Sequence, residues 1–265
     1  MINYFALSLR LTKTFAALLL LLQSSMVSSE QTDNPQSNWR IVTESFFPFS
    51  YYDENKRLTG YSVDLVNHLL KNAQTDLKIE VLPWARALSI AESQPDVLIF
   101  SLLKTPERLN SFHWLAPLAK LQSFLWTMPT KEANESLDWS KKSIGVLRDS
   151  SFDAEVLDNF TVRPNNIIRV NSYEQLVKLL VKGRVDYIAM PEVIMQKPHL
   201  QGLFLSTEQP IKLQLLFDET LYLAASKNSD NKRVQMLKEL MRKQLRSDEI
   251  KTIHKKYKSL LFKEM

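Results

Sequence analysis

Threonine, proline, glutamate and arginine at 105–108 form the segment whose residue types most directly suggest chemistry. Thr105 is suited to cap a helix whose first turn holds Pro106. Free backbone N–H groups at a helix start attract anions, and the planar guanidinium of Arg108 can pair with both oxygens of a carboxylate. The segment therefore makes a carboxylate-binding site possible, but taken alone it is more typical of a solvated arginine that balances Glu107 in an ordinary helix start.

Other polar and aromatic side chains follow the ends of predicted strands, where open parallel sheets bind their ligands. They are Glu44, Phe46, Phe47, Trp84, Ser101, Ser150 and Ser151. Serines and a carboxylate can hydrogen-bond a polar solute, and aromatic rings can stack on it. Each also has an ordinary structural role open to it: core packing for the rings, helix capping for Ser150 and Ser151, and hydration for Glu44.

The elements that must position these residues alternate between strands and helices. Hydrophobic periodicity predicts strands at 40–44, 78–82, 96–103, 143–147, 167–170 and 185–190, and helices at 62–72, 85–91, 152–159 and 173–181. The strand at 96–103 is apolar almost throughout, as in parallel sheets that are covered on both faces. The pattern predicts an α/β fold with two α/β units.

Two extended segments, 123–127 and 220–226, flank the second predicted unit and are expected to connect it to the first. Amphipathic helices are predicted at 234–245 and around 250–257, each with an apolar face that needs a partner surface.

The N-terminus, residues 1–29, has the layout of a secretory signal peptide. Basic residues precede a short apolar run at 15–22, and Val27 and Ser29 provide the small side chains that cleavage requires. The run is far shorter than the roughly 20 apolar residues that span a bilayer. We therefore expect cleavage after Ser29 and a soluble periplasmic product, which cannot be a lipoprotein because the chain has no cysteine.

Composition limits the remaining function classes. Removal of residues 1–29 would lower the formal net charge from +5 to +3, which is too mild to indicate nucleic-acid binding. The absence of cysteine excludes disulfides, thiolate metal sites and a cysteine nucleophile. The four histidines have no metal-ligand spacing, and neither a glycine-rich phosphate loop nor a Gly-x-Ser-x-Gly motif occurs. We expect no cofactor, no metal, no nucleic-acid partner and a monomeric protein.

Short motifs spread over residues 40–262 occur in a characteristic order. They are Arg40-Ile-Val-Thr-Glu with Phe46-Phe-Pro-Phe, Gly60-Tyr-Ser-Val-Asp64-Leu, Thr105-Pro-Glu-Arg108, Ile144-Gly-Val and Gly183-Arg-Val-Asp186. Together they resemble the bacterial extracellular solute-binding proteins of family 3, the polar amino-acid-binding type. The resemblance implies a type II periplasmic binding protein with two α/β lobes joined by a double hinge. Lobe 1 would comprise 39–125 plus 225–265, and lobe 2 would comprise 128–222.

The resemblance also implies roles for the candidate residues. Arg108 would grip the ligand carboxylate, and aromatic rings would stack on the ligand. The aspartate that holds the ligand ammonium in amino-acid binders of the family falls at Pro191, and Glu192 could replace it or be an ordinary first-turn residue of a helix. The expected ligand-binding set is Arg108, Thr105, Ser101, Ser151, Phe46, Trp84, Glu44 and Glu192.

The function that the resemblance implies is capture of a small carboxylated, amino-acid-like solute in a cleft between the lobes, without catalysis. The solute would pass to an inner-membrane ABC permease or to a sensor. An alternative is a periplasmic dehydratase of the cyclohexadienyl dehydratase type, with Glu192 or Glu44 as the general acid. A third is a module of a peptidoglycan-acting or sensor protein, for which the sequence offers no further motif.

Overall fold

A computed structural model describes residues 39–71, 73, 78–129, 138–197, 202–203 and 209–261 of the chain. The predicted signal peptide lies outside the described residues. Within those ranges, no helix is both long enough and apolar enough to cross a membrane.

The described residues form ten strands and six α-helices. The strands are β1 (Arg40–Thr43), β2 (Tyr51–Tyr52), β3 (Leu58–Thr59), β4 (Ile79–Val81), β5 (Val97–Leu103), β6 (Phe112–Thr127), β7 (Ile144–Leu147), β8 (Ile167–Val170), β9 (Tyr187–Pro191) and β10 (Ile211–Ser226). The helices are α1 (Tyr61–Leu70), α2 (Trp84–Ser93), α3 (Ser151–Asn159), α4 (Tyr173–Val181), α5 (Asn231–Gln244) and α6 (Asp248–Leu261). Every predicted strand and helix is present, with small changes at the ends of most of them.

Eight of the strands form one sheet in the order β4-β1-β5-β10-β6-β9-β7-β8. Strands β4, β1 and β5 are parallel to one another, as are β9, β7 and β8. These two parallel groups are joined by the antiparallel pair of β6 and β10. Every residue of β5 is buried, as its apolar sequence predicts.

Strands β6 and β10 extend much further than the connectors predicted at 123–127 and 220–226. Each has 16 residues, and the added parts are Phe112–Gln122 and 211–219. Pro117 lies within the first of these added parts, although proline lacks the N–H that a ladder needs. It is tolerated because, among the described strands, β9 pairs only with residues 123–126 of β6, so Pro117 lies on a sheet edge.

The two C-terminal helices find their partner surface on the first parallel group, where both pack against α1. Helix α5 buries Val234, Leu237 and Met241. Asp64 on α1 accepts hydrogen bonds from Lys256 and Tyr257 on α6, so this carboxylate stabilises the packing of α6 against α1.

Gly60 is the residue that lets the loop before α1 close tightly. Its φ is +133°, and a Cβ built there would lie 2.3 Å from the carbonyl oxygen of Phe49. Gly60→Ala is therefore expected to destabilise the protein by about 2–5 kcal/mol, through backbone strain and overlap with backbone that cannot move aside. Thermal unfolding followed by circular dichroism should show a Tm lower by roughly 5–15 °C.

Gly183 provides the matched control for that substitution. Its φ is +60°, but a Cβ there meets no atom within 4 Å. Gly183→Ala should cost only about 1 kcal/mol, the conformational penalty alone. Equal losses for the two variants would contradict the steric explanation at Gly60.

Candidate ligand-binding site

Two adjoining spaces lie at the carboxyl ends of the parallel strands. The inner cavity, about 20 Å³, is lined by Glu44, Phe46, Trp84, Ser101, Leu103, Arg108, Leu121, Ser150, Ser151, Phe152, Tyr173 and Leu221. The outer groove, about 700 Å³, shares Leu103, Arg108, Ser150 and Ser151 with it. Side chains from both parallel groups line both spaces, and the groove has the volume typical of small-molecule sites.

The structure brings six of the eight predicted site residues to the inner cavity. These are Glu44, Phe46, Trp84, Ser101, Arg108 and Ser151. Thr105 lines only the outer groove. Glu192 lines neither space, and its carboxylate lies 2.6 Å from the ammonium of Lys212 near the surface.

Arg108 lies on a short turn and not at the start of an α-helix, so that part of the sequence-based expectation is wrong. Residues Pro106–Arg108 form a three-residue 3-10 helix, and the Thr105 side chain caps no backbone N–H. The Thr105 hydroxyl instead bonds Glu107 and lowers the pKa of that carboxyl. The chain enters β6 soon after this turn, at Phe112. The side chain of Arg108, and not a helix start, is therefore the group in this segment that could bind an anion.

The guanidinium of Arg108 reaches the second parallel group. One nitrogen, Nη1, donates to Ser151 Oγ at 2.8 Å, and Nη2 donates to the backbone carbonyl of Asp149 at 3.1 Å. The guanidinium carbon lies 5.5 Å from the centre of the Trp84 ring, within range of a cation–π interaction. Both terminal nitrogens of Arg108 thus donate to oxygen acceptors, as they could to the two oxygens of a carboxylate.

The Asp149 carbonyl is an acceptor for two side chains of the first parallel group. Besides Arg108, the indole N–H of Trp84 donates to it at 3.0 Å. Asp149 has a φ of +54°, unusual for a residue other than glycine, and lies in the turn between β7 and α3. This strained turn directs the carbonyl toward Trp84 and Arg108.

Ser101 occupies a bulge in the middle of β5. Leu102 pairs with Tyr222 and Phe100 pairs with Leu223, so Ser101 is the extra residue, and its φ is +61°. Its hydroxyl donates to Ser62 Oγ at 3.2 Å. Bulges of this kind turn a side chain away from its regular position in the strand and are frequent beside binding sites.

The predicted capping of α3 by Ser150 and Ser151 is wrong. Ser150 is the N-cap residue, but its hydroxyl donates to the Leu147 carbonyl at 2.6 Å and caps no helical N–H. Ser151 is the first residue of the helix, and its hydroxyl accepts from Arg108. The Ser151 hydroxyl therefore lies at the inner cavity and takes no part in capping the helix.

Glu44 is a buried carboxyl group at the inner cavity, 6 % exposed. Burial raises its pKa to about 8, and the positive charge of Arg108 only partly opposes that effect. Tyr173 is buried beside it, and burial and the charge of Glu44 raise the pKa of this phenol well above its ordinary value. The ring of Phe46 lies 5.5 Å from that of Tyr173.

Several other candidates have structural roles. Phe47 packs its ring 5.0 Å from that of Tyr51 and does not line the inner cavity. Asp186 accepts hydrogen bonds from the backbone N–H and the hydroxyl of Ser143. Pro191, where the family places its ammonium-binding aspartate, pairs with Ser123 at the end of β9.

Two residues whose polar groups interact with the predicted site residues were missed from the sequence, Tyr173 and Asp149. Both follow parallel strands, β8 and β7, so the strand-end rule that selected the other candidates also covers them. Tyr173 is predicted from the sequence only as the first residue of the helix at 173–181. Asp149 contributes a backbone carbonyl, for which side-chain chemistry gives no signal.

Among the residues that the structure describes, no three or more His, Cys, Asp or Glu side chains come together in a way that could hold a metal ion.

Comparison with known proteins places this geometry in a family. The model of the bacterial extracellular solute-binding proteins, family 3, matches residues 40–259. The amino-acid-binding protein AabA of Dichelobacter nodosus is 24% identical over 152 residues, which span 56% of this chain and 60% of AabA. A probable histidine-binding protein of Neisseria gonorrhoeae is 21% identical over 84% of both chains. The membrane-bound lytic murein transglycosylase F of Shewanella pealeana is 22% identical over 71% of this chain and 42% of its own length.

Solved structures give the same fold. The arginine-binding protein of T. maritima in its holo form has a TM-score of 0.67 at 17% identity, covering 84% of this chain and 97% of its own. An ancestral amino acid-binding protein, a precursor of cyclohexadienyl dehydratase, has a TM-score of 0.66 at 15% identity, covering 84% and 96%. At these identities the likeness establishes the fold alone, the two-lobed α/β architecture of periplasmic binding proteins. With the family match over most of the chain confirming the resemblance in the motifs, the chain belongs to the bacterial extracellular solute-binding proteins, family 3.

Proposed function

We propose that the protein captures a small carboxylated, amino-acid-like solute at the inner cavity, with Arg108 as the carboxylate anchor. The observation that carries this proposal is the pair of hydrogen bonds from Arg108 to Ser151 Oγ and the Asp149 carbonyl. A carboxylate of the solute would take the same two N–H groups, and the Ser151 hydroxyl would then donate to it. The amino-acid-binding names of two relatives support the same class of solute.

Binding requires the cavity walls to separate, because about 20 Å³ holds little more than one water molecule. In the proposed division, lobe 1 (39–125 plus 225–265) provides Glu44, Trp84 and Arg108, and lobe 2 (128–222) provides Ser151 and Tyr173. Strands β6 and β10 are the connections between them, and they would act as the double hinge. The signal peptide would direct export of the chain to the periplasm and would be cleaved after Ser29. The loaded protein would then pass its solute to an ABC permease or a sensor.

Thermal unfolding of the purified protein with a panel of amino acids and other small carboxylates tests the proposal. A solute that binds only the native state stabilises it by about 2.7 kcal/mol at a concentration of 100 Kd, which raises Tm by roughly 5–10 °C. Native mass spectrometry of protein purified without denaturation would identify a retained solute. If no small carboxylate raises Tm and none co-purifies, the proposal is wrong.

The alternative function, a dehydratase of prephenate-like acids, is favoured by one observation. Glu44 is a buried carboxyl whose pKa is raised to about 8, so at neutral pH it holds a proton that a general acid could deliver. Incubation with prephenate or arogenate followed by detection of an aromatic product tests this. Turnover that disappears in Glu44→Gln would assign the general acid to Glu44. Absence of turnover in the native protein would rule out the dehydratase and leave solute binding as the proposed function.

A further inference from the structure

The positive charge of the chain is concentrated in its two C-terminal helices. Residues 231–261, which contain α5 and α6, hold ten Lys and Arg residues and three Asp and Glu residues, a formal charge of +7. The whole chain has a formal charge of +5, so the remaining residues are net negative. The outer groove contrasts with the helices, because seven carboxylate side chains and only two cationic ones line it.

The cations of α5 include two on the face that points away from the protein. Helix α5 buries the opposite face, that of Val234, Leu237 and Met241. Since an α-helix has 3.6 residues per turn, Lys232 and Lys243 lie across the helix from these three side chains, and both are exposed. Neither has an ion-pair partner among the described residues.

The cations of α6 form a stripe. Lys251, Lys255 and Lys258 are exposed and are spaced by four and three residues, so they follow one another along one face of the helix. Both α5 and α6 pack against α1, so the cations of the two helices belong to one helical layer. We use the name basic surface for the five exposed cations Lys232, Lys243, Lys251, Lys255 and Lys258.

Helix stability does not account for the basic surface. A helix dipole favours cations in the last turn, whereas Lys232 and Lys251 lie within the first four residues of α5 and α6. Lys251 and Lys255 are four residues apart, a spacing at which like charges destabilise a helix. The ion pair of Lys251 with Asp248 is more than four-fifths exposed on both sides and is therefore weak. An anionic partner would offset this repulsion.

The shape of the basic surface indicates the kind of partner that it fits. It extends over two helices of 14 residues, each about 20 Å long, and none of its side chains lines the inner cavity or the outer groove. Dispersed, flexible cations of this kind match a continuous anionic surface. Met236 lies between Lys232 and Lys243 on the outer face of α5 and is 72 % exposed. A bilayer accepts such an apolar side chain beneath its headgroups.

We infer that the basic surface binds the anionic headgroups of a phospholipid bilayer, with Met236 at the contact. The inference does not depend on the solute, because no residue of α5 or α6 lines the inner cavity or the outer groove. A bilayer of the same sign as the acidic groove repels it, which leaves the groove open to solution. Attachment of this kind would hold the exported protein at the membrane while it collects its solute.

Cosedimentation of the exported protein, purified from the periplasm, with phospholipid vesicles tests the inference. Vesicles of equal parts phosphatidylglycerol and phosphatidylcholine should bind it, and vesicles of phosphatidylcholine alone should not. About 0.5 M NaCl should release it, because salt screens exposed charges. Each Lys near an anionic bilayer strengthens binding about fivefold, so the triple variant Lys251→Gln, Lys255→Gln, Lys258→Gln should bind roughly 100-fold more weakly.

The matched control removes three exposed cations elsewhere. The triple variant Arg163→Gln, Lys182→Gln, Arg184→Gln changes the net charge by the same amount and should bind the vesicles as the native protein does. Both triple variants should keep the native circular-dichroism spectrum, since all six substituted side chains are exposed.

A label at Met236 distinguishes a bilayer from an acidic protein as the partner. The chain has no cysteine, so Met236→Cys provides a single thiol for an environment-sensitive fluorophore. Its emission should shift to shorter wavelength when the protein binds phosphatidylglycerol vesicles. The same label at Glu54→Cys, exposed in the β2–β3 turn, should not respond.

Three results would overturn the inference. They are absence of binding to the anionic vesicles, undiminished binding by the Lys251, Lys255 and Lys258 triple variant, and binding to soluble polyglutamate as tight as to vesicles without a response from the label at Met236. The last result would assign the basic surface to an acidic protein. Solute-induced changes in Tm are measured without lipid, so the proposed function is tested separately.

Discussion

Arg108→Ala is expected to abolish the rise in Tm that a carboxylated solute gives to the native protein. Arg108 is the cationic side chain that lines the inner cavity, and it points two N–H groups at positions where carboxylate oxygens would bind. Removing one partner of a hydrogen-bonded, desolvated charge pair costs about 2–5 kcal/mol, which corresponds to a loss of affinity of roughly 30-fold or more. At solute concentrations that saturate the native protein, the variant should show little or no shift.

Two further variants make the result specific. Arg86→Ala removes an exposed arginine of α2 that lines neither space, so the solute-induced shift in Tm should be retained in full. Arg108→Lys keeps the charge but loses the planar fork, and binding should be intermediate. An undiminished shift in Arg108→Ala would mean that the solute carboxylate binds elsewhere.

The second large effect concerns pH and Glu44. Its pKa is raised from the ordinary 4.5 to about 8, chiefly by burial. Between these values the folded protein holds a proton that the unfolded chain has released, so stability falls as pH rises through this window and levels off above it. The free energy of unfolding is expected to fall by on the order of 3–5 kcal/mol over this window, since each pKa unit corresponds to about 1.4 kcal/mol.

Glu44→Gln isolates this contribution. The amide stays neutral, so the variant should match the native protein near pH 5 and exceed its Tm by roughly 5–15 °C at pH 8.5, measured without solute. The ionisable groups that interact with Glu44 are Arg108 and Tyr173. The first stays charged and the second neutral across this range. Glu54→Gln changes the net charge in the same way at an exposed position and is the control. If the curves of Tm against pH for the native protein and Glu44→Gln run parallel, Glu44 is hydrated in solution and the prediction is wrong.

The strands and helices could be predicted because their patterns are local. The apolar run of β5 and the helical periodicity of α4 depend on neighbours a few residues away in sequence, and both were predicted closely. The long parts of β6 and β10 were missed because they are partly exposed and irregular, and pairing between them holds them in place. Such pairing leaves little trace in either sequence taken alone.

The candidate site was predicted as far as residue types and strand ends allow. Arg108, Trp84 and Glu44 were selected in this way and do line the inner cavity. Neither the bulge that turns Ser101 nor the left-handed backbone of Asp149 could be foreseen. Non-glycine residues adopt these conformations only where tertiary contacts hold them there.

The pairing of β5 with β10 has a consequence for synthesis of the chain. The wholly buried strand Val97–Leu103 pairs with β1 on one edge and with residues 221–225 on the other, and the ribosome adds these last residues more than a hundred residues later. Until then one edge of that strand remains open, and an open apolar edge is where nascent chains associate wrongly. The first parallel group therefore cannot complete its part of the sheet until residues 221–225 have been made, and a chaperone that holds the chain until then would reduce aggregation.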